Sequence, residues 1–216
     1  MRVTEARWIA SRLAELSPEQ CSPVLNLGSS TAEFRERRQP HIDELVFAPL
    51  RAAGITVIHA DLKDAPGVDI AGDVLDPAVQ QKLLMRTPRV VLSSNLLEHV
   101  TDRPTFARAM MALTPPGGRL IVTVPRSYPF HADPIDTGFR PSPDELAALF
   151  AQLRLTRGDI VADTTYAGEL VRRGPRRALK ALLGAVRPGR VGRSYRDSLR
   201  WLHRPFTTTC IVLASD

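Results

Sequence analysis

Apolar and polar positions alternate in blocks along this chain. From Thr4 to Leu16, Trp8, Ile9, Leu13 and Leu16 recur at helical spacing with Arg and Glu between them, which predicts an amphipathic helix ended by Ser17-Pro18. VLNLGSS at 24–30 is an apolar run stopping at a glycine, the pattern of a buried parallel strand entering a turn. Ala32–Arg38 and Ile42–Ala53 read as helices, parted by Pro40 and closed by Gly54. ITVIHAD at 55–61 and VDIAGDV at 68–74 read as strands that each end in an acid. A helix over Pro77–Met85 then precedes a fourth strand, RVVLSSN at 89–95. A helix over Phe106–Leu113 stops at Thr-Pro-Pro-Gly-Gly, and RLIVTVP at 119–125 is a fifth strand. Pro143–Leu153 is predicted helical, with Ser142 as N-cap and Asp144 and Glu145 in the first turn. Leu155–Ala162 and TTTCIVLA at 207–214 complete seven strands.

Strands alternating with helices predict an α/β fold: one mostly parallel sheet with helices on both faces. With 216 residues, the chain suits one such domain. No apolar run reaches the ~20 residues of a membrane-spanning helix. Glu5, Arg7, Arg12 and Glu15 interrupt any secretory h-region. Cys21 and Cys210 stand far apart and form no CxxC pair, so a reducing, cytoplasmic setting is expected.

Charge changes the picture at one place. Residues 171–204 hold eleven Arg or Lys against one acid, Asp197, a balance of +10. The rest of the chain then carries −4 beneath a total of +6. Arg176–Val186 reads as a basic helix with Leu179, Leu182 and Leu183 on one face, and Tyr195–Leu202 as a second. If the sixth strand is parallel and the seventh antiparallel, residues 163–206 are a basic helical insertion rooted at the carboxyl edge of the sheet. Such a lid favours anionic acceptors or a peripheral contact with anionic lipid. The alternative is a solvated excursion whose arginines do nothing specific.

In parallel α/β sheets, ligands bind outside the carboxyl ends of the strands. Here these tips are Asn26-Leu27-Gly28-Ser29-Ser30, Asp61, Asp73 and Asn95–His99. A glycine turn admits a ligand to the backbone. An acid after the second strand suits ribose hydroxyls, and one after the third suits an exocyclic amine, so the set fits an adenosine. Taken singly, acids at strand ends are often only turn formers.

The order VLNLGSS, HADL, GDVLD, VVLSSNLLEHV, LTPPGGRLIVTVP resembles the class I S-adenosylmethionine (SAM)-dependent methyltransferases, a seven-stranded Rossmann-like fold with an antiparallel last strand. The likeness is greatest to the small bacterial group with LEHV after the fourth strand and PGG before the fifth. It covers residues 20 to about 162 and the last strand. The resemblance implies SAM as cofactor. It implies that Gly28, with Ser29 and Ser30, lies under the amino-acid moiety, and that Asp61, with Leu62 beside it, holds the ribose. It implies Asp73 and Val74 at the adenine, and Asn95 at the methionyl part. The chain departs from the pattern at Asn26, where the family has an acid, and at Ser29, Ser30 and Thr31, where it has more glycines. The missing GxGxxG argues against an NAD enzyme.

Methyl transfer from a sulfonium mainly requires positioning, and a hydroxyl acceptor also needs a base. His99 and His131 are the catalytic candidates. His131, Asp133 and Asp136 lie in YPFHADPIDTGFRP at 128–141 and are expected to contact the acceptor. The other readings are a packed helix start for His99 and a rigid loop for His131. No metal site is expected. The reading is a methyltransferase acting on an oxygen, less readily a nitrogen, of a small-molecule, sugar or glycan-like acceptor, with an anionic one favoured. The alternatives are a catalytically silent binding subunit and an RNA methyltransferase. Nucleic acid is disfavoured by Asn95-Leu96-Leu97-Glu98 in place of (N/D)PP(Y/F) and by the few aromatics among the arginines.

Overall fold

A computed structural model of the chain describes residues 1–129, 135–174, 183 and 201–216. Its seven strands are β1 (Val24–Leu27), β2 (Val57–Asp61), β3 (Ile70–Ala71), β4 (Val90–Ser94), β5 (Arg119–Ser127), β6 (Arg154–Thr165) and β7 (Pro205–Ala214). They form one sheet in the order β3-β2-β1-β4-β5-β7-β6. Strands β1 to β5 pair in parallel, while β7 runs antiparallel to both β5 and β6, as expected. Strand order reverses at β1, whose partners are β2 on one side and β4 on the other.

The central strands β1, β4 and β5 bury both faces, so the core is double, while β6 is an exposed edge. On one face, Val24, Val90, Leu92 and Ile121 pack with Ala6, Ile9 and Leu13 of α1 (Val3–Leu13), and with Val46, Phe47 and Leu50. Phe47 ends a wide helical turn, Asp43–Phe47, that runs into α3 (Ala48–Ala52); α2 (Pro18–Cys21) precedes β1. On the other face, Leu25, Leu27, Val91, Leu120 and Val122 pack with Val79 and Leu83 of α4 (Pro77–Leu84), Met110 of α5 (Arg103–Ala112) and Leu146 of α6 (Pro143–Ala147). The period-2 alternation of side chains across each strand produces this division.

The local signals act as read. Ser142 Oγ accepts from the Glu145 amide at 3.2 Å, and Glu145 Oε2 accepts from the Ser142 amide at 2.7 Å, a reciprocal cap. Helix α5 starts earlier than Phe106, because Asp102 caps it through the Thr105 amide. Strand β3 is only two residues long. Asp69 spends its carboxylate on the His59 amide at 2.7 Å, and Gly72, at φ +136°, turns the chain away. The β6–β7 connection starts with a helix absent from the sequence reading, α7 (Tyr166–Arg173), capped by Thr165. Of the two helices read over 176–186 and 195–202, only Leu183, which is helical, and Trp201 and Leu202, which lie in a turn, are among the described residues. Among the described residues, no helix is long and apolar enough to cross a membrane. Cys21 and Cys210 are both buried free thiols.

Candidate functional site

The carboxyl ends of β3, β2, β1 and β4 lie side by side, and hydrogen bonds join them into one edge. The amides of Gly28 and Ser29 both donate to the Ala60 carbonyl, at 2.9 and 3.0 Å. The Ser30 amide donates to Asp61 Oδ2 at 2.7 Å, and the Lys63 amide donates to Asp61 Oδ1 at 3.0 Å. The Gly72 amide donates to the Asp61 carbonyl at 2.9 Å. Asp61 thus holds its own loop and the β1 turn with one lone pair on each oxygen, leaving acceptor capacity for a ligand.

Gly28 has φ +70°, and a Cβ there would meet the Leu96 side chain at 2.9 Å. Only glycine satisfies both conditions cheaply. Leu62 is largely exposed next to Asp61. Asp73 is exposed and accepts from the Leu75 amide at 2.9 Å, while Val74 is buried beneath it. The sequence-derived set Gly28, Ser29, Ser30, Asp61, Leu62, Asp73 and Val74 therefore occupies adjacent strand tips.

Asn26 and Asn95 have other partners. Asn26 sits within β1 on the α1 face, and its Nδ2 donates to His59 Nδ1 at 3.1 Å. Burial, with Arg35 nearby, depresses His59 to about 4, so the ring is neutral and its Nδ1 can accept. Asn95, at φ +50°, donates through Nδ2 to Glu5 Oε1 at 2.8 Å. The same Glu5 oxygen accepts from Thr123 Oγ1 at 2.6 Å, and Oε2 accepts from the Arg2 amide at 3.0 Å. Helix α1 is thereby tied to the end of β4 and to the middle of β5. Glu5 was invisible as a site residue in the sequence, where it is one charge among several in an amphipathic helix.

His99 ends a short helical turn, Leu97–His99. Its Nδ1 lies 2.5 Å from the Ile135 carbonyl, which makes Nδ1 the protonated nitrogen. Its Nε2 lies 3.8 Å from Glu98 Oε1. Glu98 is fully buried, and among the described residues neither carboxylate oxygen has a hydrogen-bond partner. Burial, reinforced by the charge of Glu5, raises Glu98 to about 8, so it is mainly protonated at neutral pH. Asp136 is buried and bonded to Arg140, at 2.6 Å from Oδ2, and to the Gly138 amide at 2.8 Å. His131 and Asp133 lie outside the described residues.

Over β5–β7 the edge is held by charge. Arg2 reaches Asp163 Oδ2 on β6 at 3.1 Å, bonds Glu169 on α7, and lies over the Phe206 ring. A hollow of about 270 Å³ opens there, lined by Arg2, Val3, His41, Asp163, Glu169 and Arg172. A larger hollow of about 400 Å³ lies between β3 and the end of α4, lined by Asp69, Ile70, Ala71, Lys82, Met85 and Arg86.

No protein-family model matches the sequence, and no curated protein is similar to it. Solved structures do resemble the fold. One is a SAM dependent methyltransferase from Archaeoglobus fulgidus, with TM-score 0.52, 14% identity, and coverage of 96% of this chain and 94% of that one. A second is the geranyl diphosphate C-methyltransferase of Streptomyces coelicolor A3(2), in complex with S-adenosyl-L-homocysteine. It matches with TM-score 0.52 and 13% identity, over 98% of this chain and 77% of that one. A third is Haemonchus contortus phosphoethanolamine N-methyltransferase 2 with S-adenosyl-L-methionine, with TM-score 0.53 and 11% identity. The match covers 98% of this chain, which spans only about half (52%) of that one. The chain has the fold of the class I SAM-dependent methyltransferases.

Proposed function

We propose that the protein is a SAM-dependent methyltransferase that binds SAM across the tips of β1 to β4. The acceptor is held over β5–β7. The reading is carried by Asp61, a strand-tip carboxylate tied to the Ser30 amide at 2.7 Å with lone pairs to spare, beside a glycine whose φ of +70° and closeness to Leu96 disfavour a side chain. This is a donor and acceptor set suited to a ribose and an adenine, with Asp73 one strand further out.

SAM supplies an activated methyl group, so the protein's work is positioning and proton removal. Bound SAM would offer its methyl group to an acceptor oxygen, with the sulfonium sulfur as the leaving group, and the chain's own part would be to take the hydroxyl proton with a base. His99 fits that role: the Ile135 carbonyl fixes its Nδ1 proton and leaves Nε2 as the basic nitrogen. Glu98, protonated beneath it, adds no fixed negative charge at neutral pH. His131 and Asp133 are assigned to the acceptor, while Asp136 shapes the same loop through Arg140. An oxygen of a small, sugar or glycan-like acceptor is preferred over nitrogen. The +10 balance of residues 171–204 favours an anionic one. The reducing, cytoplasmic setting fits two buried free thiols.

Calorimetric titration with SAM and S-adenosylhomocysteine tests the reading. Micromolar binding of both, weakened at least 30-fold by Asp61→Ala, is the expected result. A folded protein that binds neither contradicts it and favours a silent binding subunit.

A further inference from the structure

The cofactor turn carries one glycine, and the structure contains a device that compensates for the missing ones. Arg35 is almost completely buried, 3% exposed, in the wide helical turn Phe34–Arg38 behind the β1 loop. Its Nη1 donates to the carbonyls of Ser29 at 2.9 Å and Ser30 at 2.6 Å. Its Nη2 donates to the Gly67 carbonyl at 2.8 Å, in the loop between β2 and β3. A buried guanidinium is costly unless its donors are satisfied, and here they are spent on three backbone carbonyls from two loops.

Those two loops are closed against each other at further points. The Ala32 amide donates to the Pro66 carbonyl at 3.0 Å. Gly67 has φ +81°, and a Cβ on it would land 2.5 Å from Ala32 Cβ. Between them, Ser30 holds φ +54°, a left-handed conformation that serine adopts only under constraint. Its amide is fixed by Asp61 and its carbonyl by Arg35. A glycine would take this conformation freely.

We infer that Arg35 is the positioning residue of the cofactor loop, holding Gly28–Ser30 in the binding conformation that additional glycines would otherwise permit. The inference rests on the SAM reading above. Arg35 shapes the turn assigned to the amino-acid half of the ligand, so its loss is felt by ligands that carry that half. The adenosine half is held by Asp61 and Asp73 and is less dependent on it.

The test compares S-adenosylhomocysteine with methylthioadenosine, which lacks the amino acid, by calorimetry on the full chain. Folding is checked by circular dichroism and cooperative melting. Arg35→Gln and Arg35→Lys are expected to weaken S-adenosylhomocysteine 10- to 100-fold and methylthioadenosine less than about threefold. Adding Ser30→Gly to Arg35→Gln is expected to restore at least a fivefold share, because glycine needs no constraint at that φ. Gly67→Ala keeps the guanidinium but forces the loops apart at Ala32, and is expected to reproduce the loss if the Arg35 variants do not fold. Wild-type affinity in folded Arg35 variants, equal losses for both ligands, or full affinity in Gly67→Ala overturns the inference. A wild-type protein that binds neither ligand overturns the SAM reading itself and the inference with it.

Discussion

Along the β1–β4 half of the carboxyl edge, the fixing contacts run from side chains to backbone over short sequence distances. Asp61 reaches back 31 residues to Ser30, and Arg35 reaches 5 and 6 residues to Ser30 and Ser29. Along the β5–β7 half, Arg2 spans 161 residues to Asp163 and 167 to Glu169, and it holds them through charge. Hydrogen bonds to buried backbone keep one geometry and respond little to salt. Ion pairs between partly exposed side chains are screened and interchange readily. The β1–β4 half, where the cofactor is proposed to bind, is thus a preformed platform, while the β5–β7 half is fastened by contacts that charge on a ligand or in solution can alter. Glu5 joins the two, accepting from Asn95 after β4 and from Thr123 on β5.

The comparison can be broken most severely at Gly28. A valine there meets Leu96 at 2.9 Å and must adopt φ +70°. Gly28→Val is expected to abolish S-adenosylhomocysteine binding, a loss above 100-fold, at a stability cost of about 2–3 kcal/mol. Retained binding in a titration would show that the turn is not a ligand surface.

Glu98 gives a pH signature. Its carboxyl titrates at about 8 in the folded chain and at 4.5 when unperturbed, so the folded state holds the extra proton. The stability it contributes is complete below the unfolded value and is lost as pH rises through the folded one. Glu98→Gln should therefore flatten the decline of stability between pH 5 and 9, and gain roughly 2–4 kcal/mol over wild type at pH 9. Denaturant melts across that range check it, and parallel pH curves for the two proteins would refute it.

On the β5–β7 half, Arg2→Met removes both ion pairs while keeping a long apolar stem. A loss of about 1–2 kcal/mol in stability is expected for the two partly exposed pairs together. Affinity for S-adenosylhomocysteine should change less than about twofold, and 0.5 M salt should mimic the substitution in wild type. A large loss of cofactor affinity would mean the two halves are not separable.

The smallest effect is predicted at Asn26, whose amide serves His59 within the sheet. Asn26→Asp restores the acid common in the resembling family, yet should leave cofactor affinity within about threefold. The residue faces α1 rather than the strand tips, so a marked gain in affinity would show that it reaches the ligand after all.

Much of the frame was readable from the chain. Apolar runs ending in Gly28 and Asn95 marked the tips of β1 and β4, because a strand buried on both faces is a continuous apolar stretch, and Asp61 closed the alternating, half-buried β2. Ser142 and Glu145 marked a helix start, because capping is local chemistry. What escaped depends on distant partners. Arg35 reads as one arginine in a charged helical segment until its burial against Gly67 is known. Glu5 and Arg2 matter through Thr123 and Asp163, which no local pattern connects to them. Helix α7 carries Tyr166, Ala167, Leu170 and Val171 at helical spacing, but eight residues with Gly168 among them are too short a window for that period to be read, and at β3 Asp69 gives its carboxylate to the His59 amide.

The central claim is that SAM binds on the tips of β1 to β4. Amide hydrogen exchange of the full chain, with and without saturating S-adenosylhomocysteine, tests it most directly. The account predicts added protection concentrated in residues 28–31, 61–63, 73–75 and 95–97. Protection absent from all four segments, or confined to β6 and β7, would contradict it.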